Sequence, residues 1–226
     1  MVSEGLRAAF DLLINGDPRV TGAVGVSLRV SLTATLIATL LAAPLAFFAA
    51  REWSARNAIA VVLNTLTALP TVVVGLLTYA VLSRRGLLGP LGLLYTQSGM
   101  IIGETFLITP LMTALLFAVV RSADPRIVET ALTLGASRTT TAWAVFHELQ
   151  PGFVGAIATG FGRVVSELGV AMMVGGNIEG STRSMTTAIT LETGKGEFAL
   201  GLALGLILLF VALMVNVVGN VLAPSR

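Results

Sequence analysis

Cysteine is absent from the 226 residues, histidine occurs once and lysine once. Without cysteine there is no disulfide, no thiolate metal ligand and no thiol nucleophile, while the redox compartment stays open. A single histidine, His147, with no His-Glu-x2-His pattern, leaves few routes to an intramembrane hydrolase. Charged residues make up 12% of the chain and the formal net charge is +2, so there is no basic face for nucleic acid. The G-x4-G-K-[ST] phosphate loop of a P-loop ATPase is missing as well.

Apolar residues fill the space these absences leave. They make up 55% of the chain, and the mean hydropathy of +0.90 is too high for an ordinary soluble domain. A membrane helix needs about 20 apolar residues. Five stretches reach that length, roughly 27–50, 58–82, 99–120, 153–174 and 198–222. Their runs are continuous rather than alternating, which selects helices over barrel strands. The expected fold is all-α, a single polytopic membrane domain over 1–226. Pro44, Pro70 and Pro110 mark expected kinks.

Residues 1–19 mix acids and bases and lack the basic start of a secretory signal. Leu6, Phe10 and Leu13 share one face there and predict a short interfacial helix over 3–14. Five spans put the chain ends on opposite sides. Six basic residues fall on one side (Arg51, Arg56, Arg121, Arg126, Arg138, Arg226) and seven on the other (Arg7, Arg19, Arg29, Arg84, Arg85, Arg183, Lys195), so charge bias does not orient the chain. The loop 83–98 is rich in turn formers, and 182–193 has the spacing of a short helix.

Ionisable residues inside apolar spans need partners or a wet cavity, since each costs about 2.5 to 3.5 kcal/mol on insertion scales. Arg163 and Glu167 lie four apart and share a helix face. Glu104 is a third such group, with Arg163 as its candidate partner. The pair is either a structural clamp or a guanidinium facing a permeating anion. Ser166, Asn177, Thr182 and Arg183 offer further hydroxyl, amide and guanidinium donors, and Thr67, Pro70 and Thr71 can interrupt the second span and present hydroxyls. His147 reads as a solvated residue beside Glu148 and Gln150. Gly201 and Gly205 permit a close helix approach.

The loop 121–150 carries the most informative pattern. Asp124-Pro125 starts a helix, Ile127, Val128, Ala131 and Leu134 follow at helical spacing, Gly135 allows a sharp exit, and Ser137 caps a second helix over 138–148. Glu129-Thr130-Ala131, three residues and Gly135-Ala136 resemble the EAA loop of ABC importer permeases, with Thr130 in place of the middle alanine. Val145 continues the family pattern, whereas His147-Glu148 stand where Leu-Pro is usual. The second half, Gly160 to Gly169 leading into Met172-Met173-Val174-Gly175-Gly176-Asn177-Ile178 and on to Phe198, resembles the tungstate-type permeases, relatives of the molybdate and sulfate permeases. Leu63 to Gly75 and Gly89 to Thr96 extend the likeness over nearly everything after residue 25.

The resemblance implies a type I ABC importer transmembrane domain in a bacterial or archaeal cytoplasmic membrane, with its C-terminus cytoplasmic. It also implies a homodimer, with a cytoplasmic ATPase dimer seated on Glu129, Thr130, Ala131, Gly135 and Ala136. An extracytoplasmic binding protein would face 175–197. ATP and Mg would be bound by the ATPase; no cofactor or metal is expected on this chain. The expected cargo is a tetrahedral oxyanion, tungstate ahead of molybdate or sulfate. Other readings are an ion-coupled secondary transporter using Glu104, Arg163 and Glu167 as a relay, though no internal repeat is found, and an intramembrane enzyme on Ser166, which lacks a base nearby.

Overall fold

A computed structural model describes residues 7, 10–12, 14–51 and 56–222, and no strand occurs among them. The helices are α1 (Pro18–Arg51), α2 (Arg56–Thr67), α3 (Thr71–Leu82), α4 (Gln97–Arg121), α5 (Pro125–Thr133), α6 (Arg138–Val165), α7 (Met185–Gly194) and α8 (Phe198–Leu222). A 3-10 turn spans Gly89–Leu91 and a π-helical turn spans Ala171–Gly175.

The central contact is α1 on α4. Ala34, Ala38, Ala42, Ala46 and Ala50 recur every fourth residue on α1, and all are buried. Ala34 and Ala38 meet Ile108, and Ala42 and Ala46 meet Met112, Leu116 and Phe117, so the two helices run parallel. Apolar surface alone does not draw helices together in lipid. Small side chains let the backbones approach until dispersion contacts hold them. Leu32, Leu36, Leu40 and Phe48 on the other side of α1 stay exposed, as a lipid-facing surface requires. At 25 residues α4 is about 37 Å long, enough to cross a hydrocarbon core of about 30 Å. Antiparallel to it, α6 sets Gly160 against Met112 and Gly152 against Val119. Val20, Ala23, Phe161, Val165, Met185, Ala188, Leu200 and Leu204 join α1, α6, α7 and α8 in one buried cluster.

The all-helical class holds, but two expected spans are not continuous. Among the described residues, three helices, Pro18–Ala50, Gln97–Arg121 and Phe198–Gly219, are long and apolar enough to cross a membrane, and a fourth is added if α2 and α3 count as one bent span. That pair is bent by 83°. Pro70 causes the break: it donates no hydrogen bond, and α2 ends on tightened bonds from Ala68 N to Thr65 O and from Leu69 N to Leu66 O. Pro44, Pro110 and Pro151, by contrast, lie inside uninterrupted helices.

The expected span 153–174 also breaks. The helix over 138–148 does not stop there but continues as α6 to Val165, after which the chain turns at Ser166 and re-enters as the π-turn. The helix expected over 182–193 begins at Met185, because Ser184 accepts from Thr187 N while Thr187 Oγ1 accepts from Ser184 N, a reciprocal cap. Gly201 sits against Thr193 of α7, so its close approach is made within the chain. Within 3–14, Leu6 and Leu13 lie outside the described residues. Phe10 and Ile14 are exposed, and Leu12 packs on the α1–α8 cluster.

Candidate functional site

The loop between α4 and α6 forms a compact knob. Asp124 accepts from Arg126 N at 2.9 Å, with Pro125 at the first helical position, so α5 starts with a satisfied amide. It ends by a left-handed turn at Gly135 (φ 77°), where Ala136 N reaches back to Ala131 O at 2.9 Å and Gly135 N to Leu132 O at 3.0 Å. That pair of bonds is the Schellman closure, which needs a residue free to adopt positive φ. Ser137 then caps α6 by accepting from Thr140 N. Glu129 and Thr130 are exposed, Ala131 and Ala136 half-buried. Val128, Leu132 and Leu134 are exposed apolar residues on the same knob. On the adjoining turns of α6, Trp143 stacks on Phe146 with centroids 5.7 Å apart and takes the edge of the exposed His147.

A second polar centre lies where the two interrupted spans meet. Arg163 Nη1 donates to Glu167 Oε2 at 2.5 Å, and Gly169 N donates to Glu167 Oε1 at 2.8 Å. Thr186 Oγ1 donates to Glu167 O at 2.8 Å. Glu167 is thus satisfied on its side chain and backbone, and its capture of Gly169 N holds the chain out of helical geometry after Val165. Thr71, the first residue after the Pro70 break, faces Gly169: a β-carbon there would lie 2.8 Å from Thr71 Oγ1. Arg163 keeps 41% of its side-chain surface exposed while Glu167 keeps 3%. The guanidinium and Thr67 line a cavity of about 560 Å³ between α1, α2, α3, α4 and α6. Thr105 and Thr109 line it as well.

Glu104 departs from expectation. It makes no ion pair with Arg163; its Oε2 is buried without a hydrogen-bond partner, although the charges of both Arg163 and Glu167 act on it. The guanidinium pairs instead with Glu167, just past the C-terminal end of its own helix. Ser166 is exposed, and its hydroxyl donates back to Gly162 O and Arg163 O. The Thr67 hydroxyl likewise donates to Asn64 O.

The polar residues after the π-turn are mostly committed to holding their own loop. Thr182 is fully buried, donating to Gly175 O at 2.5 Å and accepting from Ile178 N at 3.1 Å, so it offers no hydroxyl to a passage in this conformation. Arg183 pairs with Glu179 at 3.0 Å and Glu192 at 3.8 Å. Asn177 adopts a left-handed φ of 53° and its amide donates to Thr187 O at 3.4 Å. Of these expected donors only the Thr182 hydroxyl is fully used; Asn177 and Arg183 cross-brace the loop, while Arg183 Nε and Asn177 Oδ1 are buried without hydrogen-bond partners.

Several contributors were not singled out from sequence. Tyr95 holds φ 62° and donates its N–H to Val174 O, and its ring seats on Gly176. A hydrogen bond with Tyr79 raises its phenol above the ordinary value. Glycines 75, 99 and 103 form the seat of the π-turn, and Gly175 within the turn packs on Met100: a β-carbon at Gly103 would lie 2.6 Å from Val170 Cγ1, and one at Gly175 would lie 2.7 Å from Met100 Sδ. Glycine at 99 and 103, four apart, was the available signal.

A helical knob between two spans, joined to interrupted helices that carry a charged pair, defines a permease-type membrane domain. Residues 42–226 match the family described as binding-protein-dependent transport system inner membrane component, and the chain belongs to that family. The tungstate uptake system permease protein of Peptoclostridium acidaminophilum is 38% identical over 218 residues, covering 96% of each chain. That of Campylobacter jejuni is 36% identical over 219 residues, covering 95% of this chain and 90% of its own. The inward-facing methionine ABC transporter MetNI shares the fold with a TM-score of 0.63 at 13% identity, over 92% of this chain and 95% of its own. The protein is a multi-pass inner-membrane permease.

Proposed function

We propose that this chain is the membrane subunit of an ATP-driven importer for tungstate. The observation that carries the reading is similarity running end to end through both tungstate permeases, including the broken-span region as well as the coupling knob. A homodimer with the passage on its two-fold axis fits the class, because one copy encloses little by itself. An ATPase dimer would seat the α5 knob, through Glu129, Thr130, Ala131, Gly135 and Ala136, on the cytoplasmic side, and bind ATP and Mg. The C-terminus is then cytoplasmic. A binding protein would deliver the anion to the opposite side, where 83–98 and 175–197 lie.

In this reading nucleotide-driven closure of the ATPases moves the knob, and rigid α6 transmits the motion. Its far end is Arg163, at the joint where the Pro70–Thr71 and Ser166–Gly169 breaks touch. Arg163 supplies the donors to the passage, and Ser166, Thr67 and Thr71 border it; Glu167 moderates the guanidinium so that binding stays weak enough for release. Asn177, Thr182 and Arg183 brace the loop beside it. The chain itself hydrolyses nothing.

The test is uptake of labelled tungstate into proteoliposomes holding this chain with its ATPase and binding protein, with and without ATP, and with molybdate or sulfate as competitors. ATP-dependent uptake that a tenfold excess of either competitor barely lowers supports the reading. Efficient competition by molybdate or sulfate reassigns the cargo. Gradient-driven uptake by this chain alone rejects the ATP-driven importer.

A further inference from the structure

Glu104 is 2% exposed inside α4, and one of its carboxylate oxygens has no hydrogen-bond partner. A buried carboxyl in a membrane span persists at a cost unless another state of the molecule uses it. Arg163 borders the same stretch of α4, since it lines one cavity with Thr105 and its neighbour Val164 packs against Ile101 and Ile108 on either side of Glu104, and in this conformation it is held by Glu167. Glu167 sits in the break itself and does not depend on Arg163 alone, since Gly169 N occupies its second oxygen.

The surface under the break suits sliding. The segment 169–175 rests on Gly75, Gly99 and Gly103: Gly75 approaches Gly169 O, Val170 and Met173, Gly99 approaches Val174, and Gly103 approaches Val170 and Val174. Smooth glycine faces resist a shear less than interlocked side chains do, and Glu104 is the next residue after Gly103. A π-turn inside a span is a frequent mark of such a joint.

We propose that Arg163 exchanges partners during transport, pairing with Glu167 in the conformation described here and with Glu104 when the 166–175 segment shifts along its glycine seat. The Glu104 carboxylate is then the acceptor of the switched state, and the two pairs form a bistable latch at the joint. This rests on the ATP-driven reading above. Its energetic content is that each carboxylate stabilises a different conformation, so neutralising them displaces the equilibrium in opposite directions.

The absence of cysteine allows a direct readout. In the assembled complex with ATPase and binding protein, Leu168→Cys places a unique thiol in the break, at a residue 37% exposed. Its alkylation by a small water-soluble maleimide is followed with and without ATP, alongside tungstate uptake. In this background, Glu104→Gln is expected to abolish the ATP-dependent change in alkylation and to slow uptake about tenfold, the factor expected when one charge-assisted bond is lost from one of two states. Assembly and thermal stability should be unchanged or improved, because Glu104 Oε2 has no hydrogen bond to lose in this conformation. Glu167→Gln should raise alkylation without ATP toward the level the parent reaches with it. Glu104→Asp, which restores the carboxylate, should regain a response to ATP. If Glu104→Gln fails to assemble, Glu104→Leu removes the carboxyl and its burial cost together and gives the same reading. A Glu104→Gln or Glu104→Leu complex that responds to ATP like the parent overturns the latch. Absence of ATP-dependent uptake by the unsubstituted chain in the same complex would instead reject the transport reading, so the two failures are distinct.

Discussion

Gly103→Ala and Gly160→Ala make a paired test of how the π-turn is seated. Both glycines lie inside helices, so alanine brings the same intrinsic gain, about 1 kcal/mol on soluble helix scales. Both positions are crowded, yet the crowding differs in kind. At Gly103 the new methyl meets Val170 Cγ1 at 2.6 Å, with Thr78 Cγ2 at 3.2 Å and Val174 Cγ2 at 3.6 Å. Val170 is fully buried and β-branched, so relief requires the backbone to move. Overpacking of this sort costs about 2 to 3 kcal/mol, leaving a net loss of about 1 to 2 kcal/mol. At Gly160 the methyl meets the terminal Cε of Met112, whose flexible chain can rotate aside, so the net effect is about zero. A chain of this size loses roughly 2 to 4 °C of melting midpoint per kcal/mol. Gly103→Ala should therefore melt roughly 2 to 8 °C below the parent in nanodiscs, and Gly160→Ala within about 2 °C of it. Equal midpoints for the two variants would refute the claim that glycine at 103 is a packing seat for the π-turn.

Arg163→Met leaves Glu167 buried beside Glu104 without a cation and should lower stability by about 3 kcal/mol, the low end for a broken pair because Arg163 is partly exposed. Adding Glu167→Gln should return part of that loss, measured as coupling in a double-mutant cycle of melting midpoints. Ser27→Ala removes the buried hydroxyl that accepts Met185 N at 2.8 Å and should cost about 1 to 3 kcal/mol by the same assay. Glu129→Lys, at an exposed position on α5, should leave the melting midpoint within about 0.5 kcal/mol of the parent while weakening co-purification with the ATPase. Undiminished co-purification and uptake in that variant count against the docking role of α5.

The helical knob between α4 and α6 was legible in the sequence because its determinants are local. Asp124, Pro125, Gly135 and Ser137 each act through the backbone of residues within a few positions, and the structure shows the caps and the left-handed exit where those residue types put them. The alanine stripe on α1 was equally visible at i, i+4 spacing, but length and hydropathy alone treat alanine as filler. Its meaning depends on which helix arrives to pack against it. The bend at Pro70 was legible as an interruption and not as 83°, since proline removes a bond locally while the packing of α3 sets the angle.

The break after Val165 was hidden for a different reason. Nothing in the 153–174 run is a strong helix breaker, and Gly169 resembles the other glycines common in membrane helices. What ends α6 is a side chain acting on the main chain: Glu167 takes Gly169 N with one oxygen and Arg163 with the other, and Thr186, nineteen residues later, donates to its carbonyl. The i, i+4 spacing of Arg163 and Glu167 was read as one helix face; the two do pair, but α6 ends at Val165 and Glu167 lies past its C-terminal cap. The carboxylate also takes Gly169 N two residues on, and the loop 177–187 adds only the Thr186 bond to the Glu167 carbonyl. The same long-range dependence consumes the hydroxyl of Thr182 and separates Glu104 from its expected cation. Charged residues in an apolar span thus mark, in this chain, the position of a structural break. Their pairing is fixed by which neighbouring backbone groups need satisfying, and in this chain those groups belong to segments far apart in sequence.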